Sequence, residues 1–384
     1  MRASDPWYQL HPSLAGGEAL RREVREFVDV EISAGSFTPR CNAWIDGHDP
    51  SFSRKLGQRG WLGLTWPERY GGGGRSALDR YVVLEELLAA SAPVAAHWIA
   101  ERQIGPSLVR FGTEAQRQLM LPSIAAGECY VAIGMSEPGS GSDLASVSTR
   151  AHRVDGGWRI NGRKIWTSHA HRSHYLVALC RSSDPTDSRH QGLSQFIIDL
   201  ASTGVETRPI QLMNGESHFA EVALDSVFVP EGMLLGQEGQ GWEQVNAELA
   251  FERSGPERFL STFPLLMALG ETLERAGDRS YDDDFGDCIA ELWSLRAMSL
   301  SVAAQLDAGT APHVEAAIVK DLGAQFENLI VDLSARLAPR PLTRTSKSSF
   351  DALLAQSILA APGFTLRGGT TEILRGIIAK ALPS

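Results

Sequence analysis

The spacing of apolar residues changes twice along this chain, and those two changes restrict its fold more than any other feature. From about residue 15 to 130 the apolar positions recur at threes and fours. Leu78, Tyr81, Val82, Leu84, Leu87 and Leu88 are spaced in this way. Thr113-Glu114-Ala115-Gln116 has the form of a capping box that opens another helix, to about Ala126. From about 129 to 230 the pattern shortens to strand-like runs over 129–135, 147–154, 157–161, 163–168, 174–181, 194–200, 204–210 and 219–229. Asp155-Gly156 and Asn161-Gly162 accept φ > 0, so each predicts a tight hairpin turn. Helical spacing returns at Gly241, over about 241–275, 284–308, 312–337, 347–360 and 371–381, with Pro339-Arg340-Pro341 as a break. This α–β–α order predicts an α+β fold. A helical segment over 1–128 precedes a β-barrel or sandwich over 129–236 and a four- or five-helix segment over 237–384.

A chain of 384 residues is long enough for more than one core. Its net charge of -10 argues against a nucleic acid or an anionic membrane as partner, so an anionic substrate would need individually placed arginines. Cys41, Cys129, Cys180 and Cys288 are scattered without CxxC spacing, which points to reduced thiols in a cytoplasmic protein. No basic segment followed by an apolar run opens the chain, and no stretch reaches the roughly 18 apolar residues of a membrane span. His169, His171 and His174 are spaced for a polar loop rather than a coordination face, and Asp282 to Asp284 read as a solvated acidic turn. No metal site is expected.

One stretch carries chemistry. Met135-Ser136-Glu137-Pro138-Gly139-Ser140-Gly141-Ser142-Asp143 is a Gly-rich polar loop, and it leads through strand-like runs to Lys164-Ile165-Trp166-Thr167-Ser168. An indole beside a hydroxyl, facing a loop rich in free backbone N–H groups, suits a flat hydrogen-bonding aromatic cofactor. Taken alone, a Trp in a strand is usually a core aromatic.

These motifs resemble the acyl-CoA dehydrogenase family. So do Glu221 to Pro230, Leu235-Gly-Gln-Glu-Gly-Gln-Gly-Trp242 and Arg367-Gly-Gly-Thr-Thr-Glu-Ile-Leu-Arg375, and the likeness covers nearly the whole chain. The resemblance implies FAD as cofactor and dehydrogenation of an acyl-CoA thioester. A carboxylate takes the α-proton as hydride leaves Cβ for flavin N5. It assigns FAD contacts to Met135, Ser136, Gly141 and Ser142, to Trp166, Thr167 and Ser168, and to Thr370 and Glu372. Ser142 also falls where relatives meet the CoA arm.

Two departures follow from the same resemblance. Many relatives carry the base in a terminal Tyr-Glu-Gly-Thr sequence, where this chain has Arg367-Gly368-Gly369-Thr370, so Gly368 stands in its place. The isovaleryl and long-chain branches place it instead before an Arg, eleven residues after the Gly that opens the first C-terminal helix. Here 252 − 241 = 11 assigns the base to Glu252, with Arg253 contacting the CoA arm or orienting the loop. Homotetrameric relatives also hold the FAD pyrophosphate with Arg-x-x-Phe-Gly and a later Gln-x-x-Gly-Gly. Here Asp282-Asp283-Asp284 precede Phe285-Gly286, and Gln356-Ser-Ile-Leu-Ala360 lacks the glycines. Carboxylates beside a pyrophosphate repel it.

The resemblance therefore implies a heterotetramer with a sister acyl-CoA dehydrogenase chain. The branch is like that of actinobacterial steroid side-chain degradation, and Gly368 leaves room for a bulky, branched or sterol-derived acyl group. An electron-transfer flavoprotein is the expected acceptor. An acyl-CoA oxidase on the same fold, or a non-catalytic subunit completing another chain's FAD site, are the alternatives.

Overall fold

The computed structural model describes residues 17–381, apart from Thr186, Ser254, Asp278, Ala311, 338–340 and Lys347, and apart from the side chains of 249–252. Pro339 and Arg340 of the expected proline break therefore lie outside the described residues. Two compact units emerge. One comprises the described parts of Met1–Gly47, Ser76–Pro93 and Ala250–Ser384, the other His48–Arg75 and Val94–Leu249.

The helices of the first half are α1 (Gly17–Ser33), α2 (Ala43–Asp46), α3 (Pro50–Gln58), α4 (Ala77–Ala89), α5 (Ala95–Ile99), α6 (Gly105–Phe111) and α7 (Glu114–Ala125). Two begin as their sequences predict. Ser76 Oγ accepts from Asp79 N at the start of α4, and Thr113 and Gln116 form both bonds of a capping box at α7.

The strands are β1 (Val131–Gly134), β2 (Arg150–Val154), β3 (Gly157–Ser168), β4 (Tyr175–Arg181), β5 (Leu193–Asp199), β6 (Val205–Ile210), β7 (Phe219–Pro230) and β8 (Leu234–Leu235). They form one mixed sheet in the order β6-β7-β3-β2-β4-β5-β8, with β1 parallel to β4. Its middle strands are covered on both faces, which is why β4 reads as an unbroken apolar run. Leu176 and Ala178 enter one core with Trp158, Ile160 and Phe196. Val177 enters another, with Leu108, Met120 and Ile124 of α6 and α7.

Asp155-Gly156 is the hairpin turn expected, joining β2 to β3 with Val154 opposite Gly157. Asn161-Gly162 is not a turn. β3 runs straight through it along β7, with a register slip between Ile160 and Gly162. Glycine is needed there for close approach, since a Cβ on Gly162 would lie 2.7 Å from Thr149 Cα.

The C-terminal helices are α8 (Gly241–Glu252), α9 (Phe263–Ala276), α10 (Asp282–Asp307), α11 (His313–Leu337), α12 (Ser349–Ala360) and α13 (Thr371–Ala381). The helix expected over 241–275 is thus two. Gly255 is extended (φ -77°, ψ 167°), as a residue before proline prefers, and Pro256 opens a short 3-10 turn instead. Asp282 to Asp284 are solvated and form the first turn of α10, where carboxylates complement the helix dipole.

Candidate active site

The loop after β1 is closed on itself and tied to the sheet. Glu137 and Ser140 exchange backbone hydrogen bonds of 2.7 and 3.0 Å around a Pro138-Gly139 tip, and Ile165 N donates to Ser136 O at 2.9 Å. Met135 packs half-buried against the Val147, Leu179, Leu193 and Val245 cluster. Ser136 is half-buried and Ser142 exposed. A Cβ on Gly139 or Gly141 would touch nothing within 4 Å. No described residue therefore demands glycine at either position. Bare backbone on an open side is what a ligand resting on main-chain N–H groups needs.

Trp166 is the anomaly of β3. Its register against β7 slips between Lys164 and Thr167, and Trp166 takes φ 58°. That conformation costs a bulky residue about 1–2 kcal/mol. The indole is 53% exposed, with Phe219 edge-on to it at 5.8 Å. It is not a core aromatic. Thr167 does the reverse. It is buried, and its Oγ1 has no partner among the described residues. Ser168 is half-buried. The hydroxyls of Ser136, Ser142 and Ser168 make no hydrogen bond among the described residues. An open ring face, partnerless hydroxyls and an uncrowded loop fit the ring system of a flavin.

The other unit holds the terminal loop. Arg367 lies between the rings of Trp44 (4.6 Å) and Phe364 (4.9 Å). It donates to Asn42 Oδ1 and Ser261 Oγ and pairs with Glu327 at 3.5 Å. Burial pushes the Glu327 carboxyl up and the Arg367 guanidinium down, to about 10. Lys320 Nζ donates to Phe364 O at 2.8 Å. The next turn is set by Arg253, whose Nε donates to Gly368 O at 3.0 Å. Gly368 and Gly369 have φ 71° and 105°, and a Cβ on Gly368 would lie 3.1 Å from both terminal nitrogens of Arg258. Arg258 is itself buried, paired with Glu257 at 3.2 Å and set over Trp44. The fold thus gives its own reason for glycine at 368, apart from any room for substrate.

Thr370 precedes α13, its Oγ1 accepting from Ile373 N at 3.5 Å, and Glu372 is exposed in the first turn. Glu252 is the last residue of α8, and its side chain lies outside the described residues. Asp282, Asp283 and Asp284 are all exposed.

Of the three loop histidines, His169 is buried rather than solvated, with its N–H on His218 O at 2.7 Å. Among the described residues no group of three or more His, Cys, Asp or Glu could hold a metal ion. No described helix is long and apolar enough to cross a membrane. Glu137 and Lys164 lie in the two motifs, but sequence alone marks neither as functional. The available signal was a lysine on the inward side of β3, in step with Trp158 and Ile160.

Three family models match consecutive stretches: the acyl-CoA dehydrogenase N-terminal domain over residues 16–128, the middle domain over 132–227 and the C-terminal domain over 239–382. The acyl-CoA dehydrogenase IpdE1 of Mycobacterium tuberculosis is 33% identical over 337 residues, covering 86% of this chain and 86% of that protein. Another curated relative matches at 31% identity, and this chain spans 45% of its length. Among solved structures, the Tcur3481-Tcur3483 steroid ACAD superposes with a TM-score of 0.84 at 26% identity, over 97% of this chain and 98% of that one. The ChsE4-ChsE5 complex from M. tuberculosis does so with a TM-score of 0.80 at 27% identity, over 97% and 99%.

Proposed function

This chain belongs to the acyl-CoA dehydrogenase family, and on that premise we propose that it desaturates a bulky acyl-CoA, branched or sterol-derived, as one half of a heterotetramer. It is an oxidoreductase acting on acyl-CoA, with FAD as cofactor. The observation that carries the reading is Trp166, a large aromatic kept exposed in a strained backbone beside the open loop. Strain of that kind clusters at ligand sites.

When bound, FAD supplies the acceptor for the hydride leaving Cβ. Glu252, at the end of α8, takes the α-proton. Arg253 orients the terminal loop through Gly368 O or contacts the CoA arm. Met135, Ser136, Gly141 and Ser142 would hold the flavin with backbone and hydroxyl groups, and Ser142 would also meet the CoA arm. Trp166, Thr167 and Ser168 of β3 would hold the flavin beside them. Thr370 and Glu372 complete the terminal contact. The functional division follows 1–128, 129–236 and 237–384.

Three exposed aspartates open α10 where relatives place an arginine for the pyrophosphate, so a sister chain provides that end of FAD. The neighbouring structures named for two components, one of them a steroid enzyme, support this. Electrons pass to an electron-transfer flavoprotein. Four buried, unpaired thiols suit the cytoplasm.

Flavin content tests the assembly. The chain expressed alone is expected to purify without flavin, and with its sister chain to purify yellow and oxidise a CoA-thioester panel in a dye-coupled assay. Stoichiometric flavin in the lone chain would overturn the heteromer.

A further inference from the structure

Lys164 is buried completely in β3, yet all three of its ammonium protons are used. Nζ donates to Met135 O at 3.2 Å, to Glu137 Oε1 at 2.8 Å and to Leu179 O at 2.6 Å. Glu137 is equally saturated. Besides Lys164, its oxygens accept from Ser148 N at 2.6 Å, Ser148 Oγ at 2.7 Å and Thr149 N at 2.9 Å. Two oxygens with about four acceptor sites thus take four bonds, and three protons find three acceptors.

What the pair surrounds is Ser136. The residues on either side of it are tied to one ammonium group, and its own carbonyl is tied to Ile165 N, one residue before Trp166. Three tethers fix the Ser136 backbone while its hydroxyl stays uncommitted. Neither charge faces solvent, so the pair acts through what it holds.

We propose that Lys164 and Glu137 are positioning residues that preset the 135–142 loop for the flavin. The proposal rests on the flavin reading above. A buried, fully satisfied network specifies one geometry, and a loop already in its bound shape loses less entropy on binding.

The test removes both charges without stranding either one. Lys164→Met alone leaves a buried carboxylate uncompensated and is expected to fold poorly. Glu137→Gln/Lys164→Met keeps shape and neutrality and is expected to fold. In that double variant the FAD dissociation constant should rise by about tenfold or more. The long-wavelength flavin absorption band should shift, and Tm should move little. A staple of the fold alone would move Tm and leave the band in place.

Parental FAD affinity and an unshifted band in the folded double variant would overturn the proposal. So would a double variant that fails to fold, because the pair would then serve the fold as such. A parent assembly that binds no FAD would instead overturn the flavin reading itself.

Discussion

Trp166 and Gly368 sit in backbone that favours glycine, one against its chemistry and one with it. Replacing Trp166 with glycine releases the left-handed strain at φ 58° and gives up a side chain that is more than half exposed and meets Phe219 edge-on. Trp166→Gly is therefore expected to stabilise the flavin-free protein by about 1 kcal/mol, while FAD affinity falls. Thermal unfolding with and without FAD measures both, and a loss of stability without FAD would mean the indole is structural after all. Gly368 carries the opposite expectation. Its φ of 71° and the buried Arg258 guanidinium 3.1 Å from any Cβ there mean a carboxylate at 368 would be strained and paired with Arg258. Gly368→Glu should therefore fail to restore turnover to Glu252→Gln, and recovered turnover would contradict this reading of the loop.

Among the elements, the capping box at α7 was legible because its two bonds join residues three apart, and a local pattern specifies a local structure. Thr113→Ala is expected to cost about 1 kcal/mol of stability in denaturant unfolding and leave flavin binding unchanged. The slip at Asn161-Gly162 was not legible, because the deciding contact is with Thr149, on a different segment. The dipeptide alone cannot tell a bulge from a turn. The break at Pro256 was legible in principle, since proline disfavours helix in the residue before it, but the apolar spacing on both sides masked it. Lys164 shows the same limit at the site. Its loop and indole announce themselves in sequence, whereas the ammonium beneath them gains meaning only from carbonyls on β4 and the loop.

That network also predicts an acid response. Burial works against the Glu137 carboxylate, but the Lys164 ammonium and the hydrogen bonds from Lys164, Thr149 and Ser148 outweigh it, holding the group at about 2 against an ordinary 4.5. The folded value is the lower one. Its stabilisation is therefore complete above pH 4.5 and is lost as pH falls through about 2, an effect on the order of 3 kcal/mol. Acid unfolding should be shallower across that window in Glu137→Gln/Lys164→Met than in the parent. Equal slopes would show that Glu137 titrates normally.

For the whole molecule, the α–β–α order was legible because apolar periodicity reports which faces are buried, element by element. The division into two units was not, since each unit draws on segments distant in sequence. Function at this scale depends on Glu252, the base this account assigns once Gly368 has taken the other position. The most direct measurement is dye-coupled dehydrogenation by Glu252→Gln in the assembly with its sister chain, with flavin content read from the same sample. Turnover should fall by about a hundredfold or more while flavin remains bound. Full turnover in Glu252→Gln would contradict the account, moving the base to the other chain and leaving this one a scaffold.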